Sequence, residues 1–356
     1  MTTIARFLIR MILLRFAVIL FGIGGFVLTL EVVSSIRDMG VISPNTLVAV
    51  LEYIFMRSPS ILTLFIPISL LLALLLTITE LSYRNEMTAI WTTGISPARL
   101  IVMLLPVALI VGAFQFVLMD QAVPAAAPTM RSWGIGDYAR RKLNTSKNDP
   151  VWLRSGDDVI RALEANDEDT KLKNLILFRR TPEGMLKEQV FAASGELVDG
   201  QWLLKDVVIY YVGGQSPSRL ETMIYNGPPK PASAARSAEP EEMTISDLSY
   251  YIANNGFGVK PVYVYQTWWH KRLTPLVIAV MMLVLCVPLS TRFQRGGGIG
   301  YLFVFGVALG FLFFVGEGLA TTLGEVGTVA PWLAAWSPII IFGAIAVVVL
   351  ARSEMA

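Results

Sequence analysis

Three long apolar segments come first in this chain, a polar stretch from about Gln121 to Gln266 follows, and three more apolar segments complete the pattern. A bilayer core takes about 20 apolar residues in helical form. Six segments reach that length: Phe16–Ile36, Ile61–Thr79, Leu100–Met119, Leu273–Leu289, Ile299–Ala320 and Pro331–Leu350. A soluble helix keeps a polar face and these do not, so they are read as membrane spans. The first is also long for a signal-peptide core, and no small-residue cleavage site follows it. The predicted fold class is an α-helical membrane protein with six spans, three before and three after an inserted domain.

The inserted stretch reads mainly as β. Candidate strands are Val151–Leu153, Val159–Leu163, Leu175–Arg179, Glu188–Ser194, Trp202–Val212 and Arg219–Ile224. They are separated by turn formers such as Ser155-Gly156, Asp199-Gly200 and Gly213-Gly214. Short strands at this spacing predict an all-β domain, a sandwich or jelly roll. A Pro/Ala/Ser-rich linker is expected near residues 228–242. A helix is expected over Thr244–Asn254, capped by Ser246, with Leu248, Tyr251 and Ile252 on one face. The predicted division is therefore 1–120, 121–266 and 267–356.

Composition supports this picture. Hydrophobic residues make up 54% and charged residues 16%, against roughly 45–50% and about 25% in soluble domains. The net charge of +2 is too small to suggest a nucleic-acid partner. A lone cysteine, Cys286, allows no intrachain disulfide, and a lone histidine, His270, excludes a His-rich metal site. Gly296-Gly297-Gly298 lacks the Lys-Ser/Thr of a phosphate loop and reads as a turn. No Ser/His/Asp set is credible, so no catalytic residue and no cofactor are expected.

Charge also sets orientation. Arg6, Arg10, Arg15, Arg84, Arg99, Arg292, Arg295 and Arg352 fall on one side. Arg37, Arg57, Lys271 and Arg272 fall on the other. The larger set predicts cytoplasmic termini, which puts the β domain in the periplasm of a bacterial cell.

The connection between the second and third spans carries the sharpest local signal. In Glu80–Pro97, the residues Met87, Ile90 and Trp91 share one helical face. Gly94 suits the stop, Pro97 blocks continuation, and Ser96 can cap the next helix. A short surface helix near 81–93 is expected, with Glu86 exposed. It is either a plain interfacial helix or a helix that docks in a partner's groove, with Glu86 facing a cation. Two acids lie in or near the membrane, Glu31 in the first span and Glu317 in the fifth. Each is either a structural hydrogen-bond acceptor or a gate or proton-relay group. The outer cations Arg37, Arg57, Lys271 and Arg272 either snorkel to headgroups or ring the phosphates of an amphiphile entering sideways.

With these residues in place, nearly the whole chain resembles the LptF/LptG family of lipopolysaccharide-transport permeases. The matching features are Arg6…Arg10, Phe65-Ile-Pro67, Arg84-Asn-Glu86…Gly94-Ile-Ser96, and Trp269-His-Lys271-Arg-Leu-Thr-Pro275 running into Ala279–Leu283. The Ala279–Leu283 segment is closer to LptG, and Val287-Pro-Leu-Ser290 with Arg292 is closer to LptF. The resemblance implies a permease that pairs with its homologue, LptF or LptG, and docks on a cytoplasmic ATPase dimer, LptB, which binds the ATP. It implies extraction of lipopolysaccharide from the inner membrane and transfer through the β domain to LptC and LptA. Docking then falls on Arg84, Glu86, Ile90, Trp91 and Gly94. The lateral gate lies between the first and fifth spans, near Glu31 and Glu317. The lipid rim falls on Lys271, with Arg37, Arg57 and Arg272 beside it. At two sites where relatives carry lysine, this chain has Glu31 and a residue near Ser60.

Three other classes compete. A lipoprotein-type exporter commonly has one span before its large domain and three after, which the three-plus-three layout disfavours. An envelope-sensing protein would not need the surface helix. A proton-coupled transporter would carry a pair of broken helices, and none is evident.

Overall fold

A computed structural model describes residues 3–136, 138, 151–155, 158–165, 171–181, 185–198, 201–213, 216–226, 239–253, 260–292 and 299–354. The chain divides into two compact units, Met1–Ala126 with Thr267–Ala356, and Ala127–Gln266. The Gly296–Gly298 turn and most of the expected linker lie outside the described residues.

The first unit is the helical bundle. Its spans are α1 (Thr3–Ser35), α2 (Thr46–Tyr83), α4 (Pro97–Val117), α7 (Val262–Arg292), α8 (Ile299–Val326) and α9 (Pro331–Glu354). A short α3 (Glu86–Thr92) joins α2 to α4. All six predicted spans are present, and most run further than their apolar cores. The third continues through a π turn, Leu118–Ala122, into α5 (Val123–Trp133).

The spans differ in how much they bury. Along α1, Leu8, Ile12, Phe16, Leu20, Gly24, Leu28 and Val32 are buried at four-residue intervals. That is a single ridge, and it packs on α2. The remaining surface is exposed, with Val18, Phe21 and Phe26 between 63% and 74% accessible. By contrast α2 and α7 form the centre through Leu70, Leu74, Ile78, Met282 and Val287. In α8, Gly306 and Gly310 face Leu75 and Leu71 of α2, where a Cβ would collide with the leucine side chains. Small residues of this kind let helices approach in a bilayer, where apolar surface alone gives no drive.

Proline positions show how backbone polarity is satisfied along the apolar spans. A helical proline leaves the carbonyl four residues earlier without its N–H donor, a costly state in lipid. Pro59 frees Phe55, whose carbonyl accepts from the Ser58 hydroxyl at 3.1 Å. Pro275 frees Lys271, whose carbonyl accepts from Thr274 at 2.8 Å. Pro67 frees Thr63, whose carbonyl accepts from Gln115 Nε2 of α4 at 3.1 Å.

The second unit is built on six antiparallel strands: β1 (Val151–Ser155), β2 (Asp158–Ala165), β3 (Lys171–Arg180), β4 (Leu186–Val198), β5 (Gln201–Tyr211) and β6 (Ser218–Tyr225). Every predicted strand is present, generally longer than expected. The topology refines the jelly-roll expectation: the described strands pair in sequence order, a meander without a Greek-key crossover.

A transverse crease runs across this sheet. Asn174 and Asp206 sit in the left-handed region, at φ 49° and 54°. They flank Ala193 of β4 on either side, since Lys173 and Lys205 both pair with Ser194 and Leu175 and Val207 both pair with Ala192. Buried positions slip phase on the same line: Leu172 to Leu175 in β3, Ala192 to Gly195 in β4, and Leu204 to Val207 in β5. A three-residue step in a two-residue period turns the strand. Burial therefore continues on both sides of one bent sheet. Leu175 from one half and Leu204 and Trp202 from the other close around Gly195.

In the same unit, α6 (Ile245–Ala253) buries Leu248 and Tyr251 as expected. Its cap is Thr244, not Ser246: the Thr244 hydroxyl accepts from the Asp247 backbone N–H at 3.1 Å and donates to the Asp247 carboxylate at 2.8 Å. The end of the expected linker is ordered instead. Pro240–Glu242 forms a 3-10 turn, and buried Glu242 accepts from Tyr138 at 2.7 Å and pairs with Arg131.

Candidate functional site

Candidate residues gather at two ends of the bundle. At the end where α1 begins, α3 is held rigidly. Asn85 before it has φ 58° and Gly94 after it has φ 80°, so each boundary is a left-handed residue that a helix cannot run through. Ser96 accepts from the Arg99 N–H at 3.3 Å, and Pro97 occupies the first turn of α4, as the sequence predicts.

The apolar face of α3 turns inward. Met87 is 1% exposed and Ile90 is 9% exposed, and Trp91 packs against the same core. Trp91 is thereby an anchor of α3 to its own bundle and keeps part of its surface accessible. Glu86, Thr88, Ala89 and Thr92 form the outward surface. Glu86 and the remaining surface of Ile90 line an apolar groove of about 360 Å³ with Ile4, Phe7 and Leu8 of α1. Arg84 is not part of this groove. It pairs with Glu80 at 2.7 Å, and Glu80 also pairs with Arg15 of α1. The Arg15–Glu80 pair walls a second apolar groove of about 670 Å³ between α1 and α2.

At the opposite end the acids and bases interlock. Glu31 accepts from Arg57 Nε at 2.8 Å and from the Tyr53 hydroxyl at 2.9 Å. Tyr53 and Arg57 are one helical turn apart on α2, so both reach one carboxylate on α1. Arg57 is therefore a partner of the first span before it is a rim cation. Lys271 of α7 lies 3.5 Å from Glu317 of α8, donates to Thr321 at 3.2 Å, and sits 4.8 Å from the Trp268 ring centroid. Trp268 donates to Glu325 at 2.6 Å.

Arg272 departs from expectation. It is 1% exposed and donates from Nη1 to the Met119 carbonyl at 2.6 Å. It ties α7 to the π turn and is removed from the rim. Arg37 stays exposed in the turn after α1 and makes no ion pair among the described residues. The sequence reading missed Tyr53, Trp268 and Thr321. Tyr53 precedes Arg57 by four residues and Thr321 follows Glu317 by four, so helical spacing could have flagged both. Which span supplied the opposite charge was not readable.

Six apolar spans, an inserted antiparallel sheet, and paired charges at one end with an acid-bearing surface helix at the other define a multi-pass membrane protein. Residues 6–352 match the family described as lipopolysaccharide export system permease LptF/LptG, and the chain belongs to that family. It is similar to the lipopolysaccharide export system permease protein LptG of Haemophilus influenzae (strain ATCC 51907 / DSM 11121 / KW20 / Rd), 24% identical over 271 residues that cover 72% of this chain and 73% of the relative. The chain is thus a permease subunit of lipopolysaccharide export and a multi-pass inner-membrane protein.

Proposed function

We propose that this chain is one of two homologous membrane subunits that extract lipopolysaccharide from the inner membrane and pass it to a periplasmic bridge. Power comes from a cytoplasmic ATPase dimer of the LptB kind. In this reading both termini are cytoplasmic, the β unit is periplasmic, and LptC and LptA receive the lipid. Burying apolar chains is worth about 0.8 kcal/mol per CH2, so extraction of a multiply acylated lipid needs an external energy source.

The observation that carries this reading is α3. A seven-residue helix fixed at both ends, anchored inside by Met87 and presenting Glu86 outside, suits transmission of a push from a soluble partner. The lateral gate is supported by the exposure of its two spans. In their apolar windows, 28% of α1 and 22% of α8 residues are buried, against 67% for α7. Gly22, Gly25, Gly316 and Gly318 have open space around them, room for a second permease or for lipid.

Co-purification with the ATPase tests the reading. Glu86→Lys is expected to cut recovery of the ATPase at least tenfold and to abolish transport, while the permease pair still assembles. Full recovery of the ATPase with normal transport would remove α3 as the dock.

A further inference from the structure

The two acid–base pairs at the far end of the bundle are not equivalent. Glu31 is doubly held, one carboxylate oxygen accepting from both Arg57 and Tyr53 within 2.9 Å, and Tyr53 is 0% exposed. The Lys271–Glu317 pair is looser, at 3.5 Å against 2.8 Å, with side chains 18% and 20% accessible, much as in the Arg57–Glu31 pair. Lysine carries a point charge on a flexible stem with three donors. Here one donor is on Thr321 and the Trp268 ring supports the charge from one side, so the ammonium can change its anion without losing its seat. The pair also joins the best-buried span, α7, to the least-buried one, α8.

We propose that Lys271–Glu317 is an exchangeable latch: a phosphate of the lipopolysaccharide headgroup replaces Glu317 on Lys271 and releases α8 from α7. Glu317 thereby becomes a positioning residue that sets how much substrate is needed to open the gate. A phosphate offers more charge and more acceptor oxygens than a carboxylate, and charge-assisted bonds of this type are the stronger ones. Once the phosphate is seated, Glu317 is a like charge beside it in weakly screened surroundings, and repulsion moves α8 away. Substrate thus shifts the gate only through its different affinity for the two states. The inference rests on the lipopolysaccharide reading above.

The test uses the full complex of both permeases and the ATPase, reconstituted in phosphatidylcholine vesicles, in phosphatidylethanolamine/phosphatidylglycerol vesicles, and in the latter with added lipopolysaccharide. Two quantities are read. One is ATPase activity against lipopolysaccharide concentration. The other is the distance between spin labels at Leu273 on α7 and Leu319 on α8, both exposed. In the unmodified protein, lipopolysaccharide lengthens the distance and stimulates the ATPase. In Glu317→Gln the long distance is present without substrate, and half-stimulation needs roughly threefold to tenfold less lipopolysaccharide, in the range of ordinary coupling energies. If Glu317→Gln does not assemble, Glu317→Asp keeps the charge with a shorter reach and is expected to shift half-stimulation the same way by less.

An unmodified complex that responds to lipopolysaccharide, with variants that match it in both readouts, would overturn the latch and leave the transport reading intact. Opening by phosphatidylglycerol alone, relative to phosphatidylcholine, would overturn it in favour of bulk phospholipid. An unmodified complex indifferent to lipopolysaccharide in both readouts would take down the transport reading itself.

Discussion

Gln115 on the third span donates from Nε2 to the Thr63 carbonyl on the second at 3.1 Å, and that carbonyl is available because Pro67 has no N–H to fill it. One proline thus creates both a missing backbone hydrogen bond in α2 and a polar tie between two spans. Gln115→Leu should destabilise the bundle by about 1–2 kcal/mol, the usual cost of an unsatisfied buried acceptor. Pro67→Ala restores the backbone donor, so the same change in that background should cost clearly less. Thermal unfolding of the four proteins in detergent measures the difference. Equal costs in both backgrounds would mean that Gln115 acts through packing alone.

Glycines in the bundle divide into two groups by what surrounds them. A Cβ on Gly112 would lie 2.8 Å from the Leu276 Cα, a backbone atom that cannot step aside. Gly112→Ala should therefore destabilise the isolated chain by about 1–3 kcal/mol, the typical penalty of overpacking. A Cβ on Gly22 meets nothing within 4 Å. Gly22→Leu should leave the isolated chain's unfolding temperature within error and lower recovery of the permease pair, if α1 faces the second permease. Unchanged pairing would assign that face to lipid.

The crease in the β unit depends on residues that tolerate the left-handed region. Asn and Asp do so better than other side chains, and glycine does so without strain. Asp206→Gly should be neutral or slightly stabilising, whereas Asp206→Val should cost about 1–2 kcal/mol. Denaturant unfolding followed by the strand signal in circular dichroism distinguishes the two. Equal tolerance of valine would show that the strand can straighten.

Lys171 at 2.9 Å and Lys205 at 2.8 Å hold the Glu196 carboxyl well below its ordinary 4.5, at about 2. Because the folded value is the lower one, the pair's contribution is complete above pH 4.5 and is lost as pH falls toward 2. Glu196→Gln should flatten the acid limb of β-unit stability over that window and leave neutral pH little changed. The pair is exposed, so added salt should shrink the effect. An unaltered acid limb at low salt would mean that other carboxylates dominate it.

Much of this protein was legible in local pattern. Uninterrupted apolar runs mark spans because a bilayer leaves no place for a polar face, and short strand-forming runs between turn formers marked all six strands. The surface helix and its stop at Gly94 to Pro97 could be read, since caps and stops act within one turn. Its expected start near 81 was early, because residues up to Tyr83 belong to α2 and Asn85 makes the break. Family resemblance added a role for Glu86 that spacing alone could not supply. What the sequence determined by itself was therefore the kind of each element and the class of molecule they compose.

Tertiary structure alone decided the partners. Glu31 meeting Arg57, Glu317 meeting Lys271, and Arg272 buried on Met119 are contacts between spans, and hydropathy is blind to which helix lies beside which. The bend in the sheet was hidden for the same reason: Asn174 and Asp206 look like ordinary strand polar residues until register puts them on one line. A charged group in an apolar setting takes its meaning from the group opposite it, and only the packed chain supplies that neighbour.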